Sequence, residues 1–115
     1  MDERRKELRL RRRQKIVVFL SDGSSEPMWT VNMSYRGLQV HTPHLVDIGT
    51  RFHIAMSIFD EDKEHYLPVH AMVEVVHKVY DGAHQSNRIG MKILSFEGDG
   101  ESIYDSFIKQ LELQL

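Results

Sequence analysis

The sequence predicts a mainly β chain: about six antiparallel strands closed on themselves, with one C-terminal helix. Three observations carry that reading. Apolar and polar residues alternate in short runs between Ile16 and Phe96. Clusters of Gly, Asp, Ser and Pro punctuate those runs. After Gly98 the apolar period lengthens to that of a helix.

Residues 1–14 are too polar to bury a face of their own and read as a flexible basic arm. The folded domain runs over residues 15–115. Its first strand is the β-branched and aromatic stretch 16–20, ended by the turn composition Ser21-Asp22-Gly23-Ser24-Ser25. Residues 28–34 form the next, with Trp29, Val31 and Met33 expected to face the core. Tyr35-Arg36-Gly37 is a tight connection into 38–42, where Leu38 and Val40 point inward and Pro43 stops the strand. Phe52, Ile54, Met56 and Ile58 alternate with polar or small residues, and the polar run 60–64 makes a solvated loop. Along 69–80, Val69, Ala71, Val73 and Val75 share a face until Val76 breaks the alternation, which predicts a bulge. A hairpin loop at 81–84 returns the chain along 88–96, with Ile89, Met91 and Ile93 inward and Gly90 marking a close backbone approach. Ile103, Tyr104, Phe107, Ile108, Leu111 and Leu115 then form one helical stripe, which Leu113 leaves; Asp99 or Ser102 can cap its start. Closing such a sheet removes exposed strand edges.

At 115 residues the chain has the length of a single domain. The absence of cysteine excludes disulfides and thiolate metal sites. No apolar run approaches the roughly 18 residues that span a bilayer, and the charged start is not followed by the apolar stretch of a secretory leader, so the expected location is the cytoplasm. P-loops, nucleophile elbows and Gly-rich dinucleotide turns are missing, and the chain is not expected to be an enzyme. The seven histidines show no HExxH spacing and give no sequence reason to place a metal. Charge is divided unevenly: residues 1–15 carry eight basic and three acidic side chains, and the remainder seven basic and fourteen acidic. A basic arm on an acidic body points to an anionic ligand for the arm, or to an arm that lies back on the body. The acidic body and the lack of a stacking platform argue against nucleic acid as the partner.

Two features bear chemistry. In the arm, Arg5 and Arg9 are four apart, close enough for both to wrap one compact ligand, and each offers a planar fork that matches phosphate oxygens or the O6/N7 edge of guanine. Downstream, Asn32 and Ser34 leave a strand on the same face, and Gly37 permits a ligand to approach the backbone. Arg9-x-x-x-Arg13 satisfies the arm spacing equally well, so the spacing alone leaves the register open.

Arg5-x-x-x-Arg9 followed by Asn32-x-Ser34-x-x-Gly37 resembles the two-part signature of PilZ domains. The strand Val69-His70-Ala71-Met72-Val73-Glu74-Val75-Val76, the strand Arg88-Ile89-Gly90-Met91-Lys92-Ile93 and the terminal helix resemble the rest of that family. The resemblance implies a six-stranded barrel of Greek-key or split type that binds the bacterial second messenger cyclic di-GMP, with no other cofactor. It implies that Arg5 and Arg9 grip phosphates and guanine faces, that Asn32 and Ser34 bond a guanine edge, and that Gly37 leaves room. Glu3-Arg4-Arg5 resembles the family's lead-in, which favours the Arg5/Arg9 register, and Arg4 implies that a stacked dimer of the ligand can replace a single molecule. Function then follows as signal transduction: the arm changes conformation on the ligand and a downstream protein reads it. The alternative is a PilZ-like adaptor that binds its partner without the nucleotide.

Overall fold

The computed structural model describes residues 9–114. Its elements in chain order are β1 (Leu10–Arg11), β2 (Lys15–Phe19), β3 (Ser25–Ser34), β4 (Gly37–Thr42), β5 (Arg51–Asp60), β6 (His65–Asp81), β7 (Ser86–Phe96) and α1 (Gly100–Leu113). All pairings are antiparallel. β2, β3 and β4 form one meander and β5, β6 and β7 a second. The two join at β2–β5 and β4–β7, which closes a six-stranded ring. This is the expected barrel, with β1 as one extra strand.

The inward positions follow the period-2 pattern. Ile16, Val18, Leu38, Val40, Ile54, Met56, Ile58, Val69, Ala71, Val73, Val75, Ile89, Met91 and Ile93 are all buried in one core. Two irregularities keep the long β6–β7 ladder in phase. At Val76 the register steps from Val75↔Met91 to His77↔Gly90, so the expected bulge is present. Nearer the other end, Met72 pairs Ser95 and Val73 pairs Ile93, which leaves Leu94 as the extra residue on β7.

Two core assignments fail: Val31, expected inward, is only half-buried and is the residue left unpaired at a bulge, and Trp29 is outside as well. Trp29 is 43% exposed, while Met28 and Thr30 are buried. A further bulge between Thr30 and Asn32 reverses the alternation within β3, so Met33 still faces inward although Trp29 does not. A strict alternation drawn through Trp29, Val31 and Met33 cannot register that inserted residue. Exposed Trp29 instead supports the guanidinium of Arg13, 4.6 Å from its ring centroid.

The extra strand is the other departure. Leu10 pairs with Met33 and Arg11 with Asn32, and Leu10 is only 3% exposed. A single leucine among arginines carries no periodic signal, yet it buries against the core. β1 and β2 lie along the same edge of β3 with a break at residues 12–14. The buried Thr30 fills that break: its hydroxyl accepts from the Gln14 amide at 2.8 Å and donates to the Arg12 carbonyl. The strand β6 also begins earlier than its apolar pattern, because His65–Leu67 continue the hairpin ladder with Ile58–Asp60 through the exposed Phe59–Tyr66 ring pair.

The helix α1 packs on β5, β6 and β7 and buries Tyr104, Ile108 and Leu111. Glu101 lies in its first turn, where the dipole favours an acid, and Asp99 is the N-cap residue without a side-chain cap bond. The Tyr104 hydroxyl donates to the Ser34 carbonyl at 2.6 Å, so the helix holds the β3–β4 turn directly. Burial raises the Tyr104 phenol well above its usual range, which keeps that donor protonated. Among the described residues no helix is long and apolar enough to cross a membrane.

Candidate functional site

The bulge in β3 sets the site. Beyond it, Met33 turns into the core and Asn32 and Ser34 take the opposite face beside β4, Asn32 half-buried and Ser34 buried. Register then carries a polar row across four neighbouring strands: Asn32 pairs Gln39, Gln39 pairs Gly90, and Gly90 pairs His77. A parallel row runs Ser34, Gly37, Lys92. The seam between the two meanders therefore passes through the site.

Gly90 has no side chain within this row, and a Cβ there would lie 3.3 Å from the His77 Cβ. Gly37 plays the same role one row away. Its φ is not positive, so conformational freedom is not what the position requires. Space is: an added Cβ would sit 3.3 Å from Ser34 Oγ and 3.4 Å from the Met91 carbonyl. The two glycines leave an open cleft of about 750 Å³ lined by Arg9, Ser34, Arg36, Gly37, Gln39, His77, Gly90 and Lys92, among others. That lies within the range of about 300–1,000 Å³ common to small-molecule sites.

Arg9 reaches this cleft from the chain preceding β1. Its guanidinium donates to Asn32 Oδ1 at 3.2 Å and approaches to 3.7 Å of the space over Gly37. Asn32 is held from its other side, its amide nitrogen donating to Gln39 Oε1 at 2.8 Å. The Ser34 hydroxyl, 5% exposed as a residue, donates weakly to the Gly37 carbonyl at 3.4 Å. Arg9, Asn32, Ser34 and Gly37 are thus brought together from two separate stretches of sequence. Arg4 and Arg5 lie outside the described residues. Arg13, the member of the alternative arginine register, is on Trp29, away from the cleft.

Sequence reasoning did not find Gln39, His77, Lys92 or Arg36. Three of them come from strands whose pairing is non-local, and no spacing within the chain signals that convergence. Arg36 lies in the β3–β4 turn and bridges to the helix, donating to Asp105 at 2.7 Å and to Glu101 at 2.9 Å. The Asp105 contact raises its guanidinium pKa further. Arg9 and Lys92 give the cleft positive charge without such close carboxylate partners among the described ion pairs. Chemically, the surface offers arginine forks, an amide and a hydroxyl around a hollow where nothing larger than hydrogen projects. That combination suits a planar, anionic ligand.

A family model described as PilZ domain matches residues 3–110. Among solved structures, the fold is similar to the Bacillus subtilis inhibitor of motility MotI/DgrA, with a TM-score of 0.74 and 14% identity over 93% of this chain and 50% of that one. It is similar to YcgR from Escherichia coli in complex with c-di-GMP, with a TM-score of 0.70 and 15% identity over 93% of this chain and 45% of that one. It is also similar to the Borreliella burgdorferi PlzA protein in complex with c-di-GMP, with a TM-score of 0.63 and 11% identity over 96% of this chain and 52% of that one. The chain spans about half the length of these three proteins. No curated protein sequence matches it.

Proposed function

The chain belongs to the PilZ domain family, and from that premise we propose that it is a cyclic di-GMP receptor whose N-terminal arm closes over the nucleotide. The observation that carries the reading is the placement of Arg9 on Asn32, beside the hollow left by Gly37. Two neighbours of the same fold are complexes with that ligand.

In this reading Arg5 and Arg9 hold phosphates and stack on guanine, Asn32 and Ser34 bond a guanine edge, and Gly37 admits the base. Gln39, His77 and Lys92 complete the far wall of the cleft. Arg4 supports a second, stacked nucleotide. Ordering the arm costs roughly 1–2 kcal/mol per residue, and charge-assisted hydrogen bonds return about 1.5–3 kcal/mol each. The balance suits a dissociation constant near micromolar, about −8 kcal/mol. The closed arm then presents a changed surface to a downstream protein, without chemistry on the ligand.

Calorimetric titration with cyclic di-GMP, with GMP and GTP as controls, tests the reading. Saturable micromolar binding of the cyclic dinucleotide alone is expected, with a stoichiometry of one or two that reports whether the ligand enters singly or stacked. A folded protein that shows no heat up to near-millimolar ligand overturns it. Trp29 offers an optical signal, since the arm residue Arg13 already lies on its ring.

Gly37→Val places branched carbon where even a Cβ meets Ser34 and the Met91 carbonyl. We expect at least a tenfold loss of affinity together with a destabilisation of about 1–3 kcal/mol, measured by calorimetry and thermal unfolding. Unchanged affinity in this variant would show that the ligand does not use the hollow.

A further inference from the structure

At the far end of the same β4–β7 seam, three side chains from separate segments converge: His41 of β4, Asp81 at the end of β6, and His84 in the β6–β7 turn. All their donor atoms lie within 4.8 Å of one another. His84 Nδ1 is 2.8 Å from Asp81 Oδ2, and His41 Nε2 is 3.4 Å from the same oxygen. The two imidazole rings lie 4.9 Å apart. His41 Nε2 is itself buried and makes no hydrogen bond among the described residues. A buried nitrogen without a partner is costly unless something bonds it. Here it points at a carboxylate that already engages a second imidazole.

We propose that His41, Asp81 and His84 form a binding site for a divalent transition-metal cation of the zinc class. Two imidazoles and one carboxylate are a known three-ligand set for zinc, with water in the remaining position. Nitrogen and oxygen donors about 2.0–2.2 Å from a tetrahedral ion stand roughly 3.3 Å from one another, close to the 2.8 and 3.4 Å at which the two imidazoles stand from Asp81 Oδ2. The small adjustment still required falls on His84, which sits in an exposed turn. Imidazole donors select against hard cations such as magnesium, which prefer oxygen ligands and retain their waters.

The chain context gives the ion a role. His41 belongs to the first meander, and Asp81 and His84 to the second, so one cation would staple the seam that the nucleotide cleft also crosses. His41 is two residues along β4 from the cleft residue Gln39 and shares its face. Sequence spacing could not reveal the site, because His41 meets the local pair Asp81 and His84 only through the β4–β7 and β6–β7 pairings.

A second cluster sets the control. His53, His70 and Glu97 also converge, but His53 Nε2 and His70 Nδ1 already satisfy each other at 3.1 Å. The experiment is calorimetric titration of chelator-treated full chain with zinc chloride, repeated on His41→Ala, His84→Ala and His53→Ala, with magnesium chloride as the second cation and circular dichroism to establish folding. We expect one zinc per chain with a micromolar dissociation constant and no response to magnesium. His41→Ala and His84→Ala should each lose at least tenfold in affinity, and His53→Ala should match the parent. Saturating zinc should raise Tm by about 5 °C in the parent and not in His41→Ala. No heat up to near-millimolar zinc, an affinity equal to the parent's in both seam variants, loss confined to His53→Ala, or equal binding of magnesium would each overturn the assignment. None of these readouts involves the nucleotide, so the result stands apart from the receptor reading.

Discussion

Arg9→Ala is expected to weaken cyclic di-GMP binding by about a hundredfold or more and to leave the fold intact. The reasoning separates two energies. In the free protein Arg9 is exposed, and among the described residues its side chain makes one long hydrogen bond, to Asn32 at 3.2 Å. Surface substitutions with so little to lose usually stay within about 0.5 kcal/mol. In the proposed complex the same guanidinium would serve a phosphate or a guanine edge with two donors, each charge-assisted bond contributing about 1.5–3 kcal/mol. Every 1.4 kcal/mol is about tenfold in affinity, so the loss of both bonds reaches a hundredfold. Arg9→Lys sharpens the measurement: it keeps the charge and removes the fork, and it should recover only a small part of the affinity. Thermal unfolding should place both variants within a few degrees of the parent. An Arg9→Ala protein that binds within threefold of the parent would remove Arg9 from the site. Arg13 would not then be the obvious substitute, because it stacks on Trp29 away from the cleft.

Tyr104→Ala is expected to be the most destabilising single change, by about 3–5 kcal/mol, as for other buried aromatic truncations. Tyr104 is fully buried, its ring lies 5.4 Å from that of Phe96, and its hydroxyl holds the Ser34 carbonyl at the start of the β3–β4 turn. Small domains have only about 5–15 kcal/mol in total. The loss should therefore lower Tm by something of the order of 15 °C, read by calorimetric or dichroic melting. Tyr104→Phe separates packing from the hydrogen bond. It retains the ring and leaves a buried carbonyl without its donor, for a cost of about 1–3 kcal/mol. Because that carbonyl belongs to Ser34, the Phe variant should also bind nucleotide less tightly than its stability alone implies. Melting of Tyr104→Ala within 3 °C of the parent would mean that the helix is not anchored through this residue.

The strands were legible because one face of nearly every one is buried, and a buried face imposes a period of two. The bulge at Val76 and the close approach at Gly90 could be read for the same reason: each interrupts an otherwise regular pattern. Trp29 misled because Trp29, Val31 and Met33 keep an unbroken apolar period of two straight through the bulge between Thr30 and Asn32, so that pattern gives no sign of the change of phase. Leu10 was illegible because two residues of pairing give no period at all. In the candidate site, Arg9, Asn32, Ser34 and Gly37 were legible as a motif, while the choice of the Arg5/Arg9 register over Arg9/Arg13 rests on the family resemblance alone. Gln39, His77 and Lys92 were not, nor was the convergence of His41 with Asp81 and His84. Those positions become neighbours only once β4 pairs with β7 and β6 with β7, and long-range register leaves no local trace in the residues.

The division of the barrel into two meanders also bears on how the chain reaches this state. Each meander is assembled from neighbouring segments and closes small loops, whereas β2–β5 and β4–β7 join parts of the chain that are far apart. Contacts of high sequence separation slow folding, because loop entropy is spent before they form. The docking of one meander onto the other is therefore the late event, and until it occurs β4 and β7 are open edges available to other molecules. The candidate cleft straddles β4–β7, so it does not exist in a half-assembled chain. Ligand in the folding buffer should slow unfolding and leave the refolding rate unchanged.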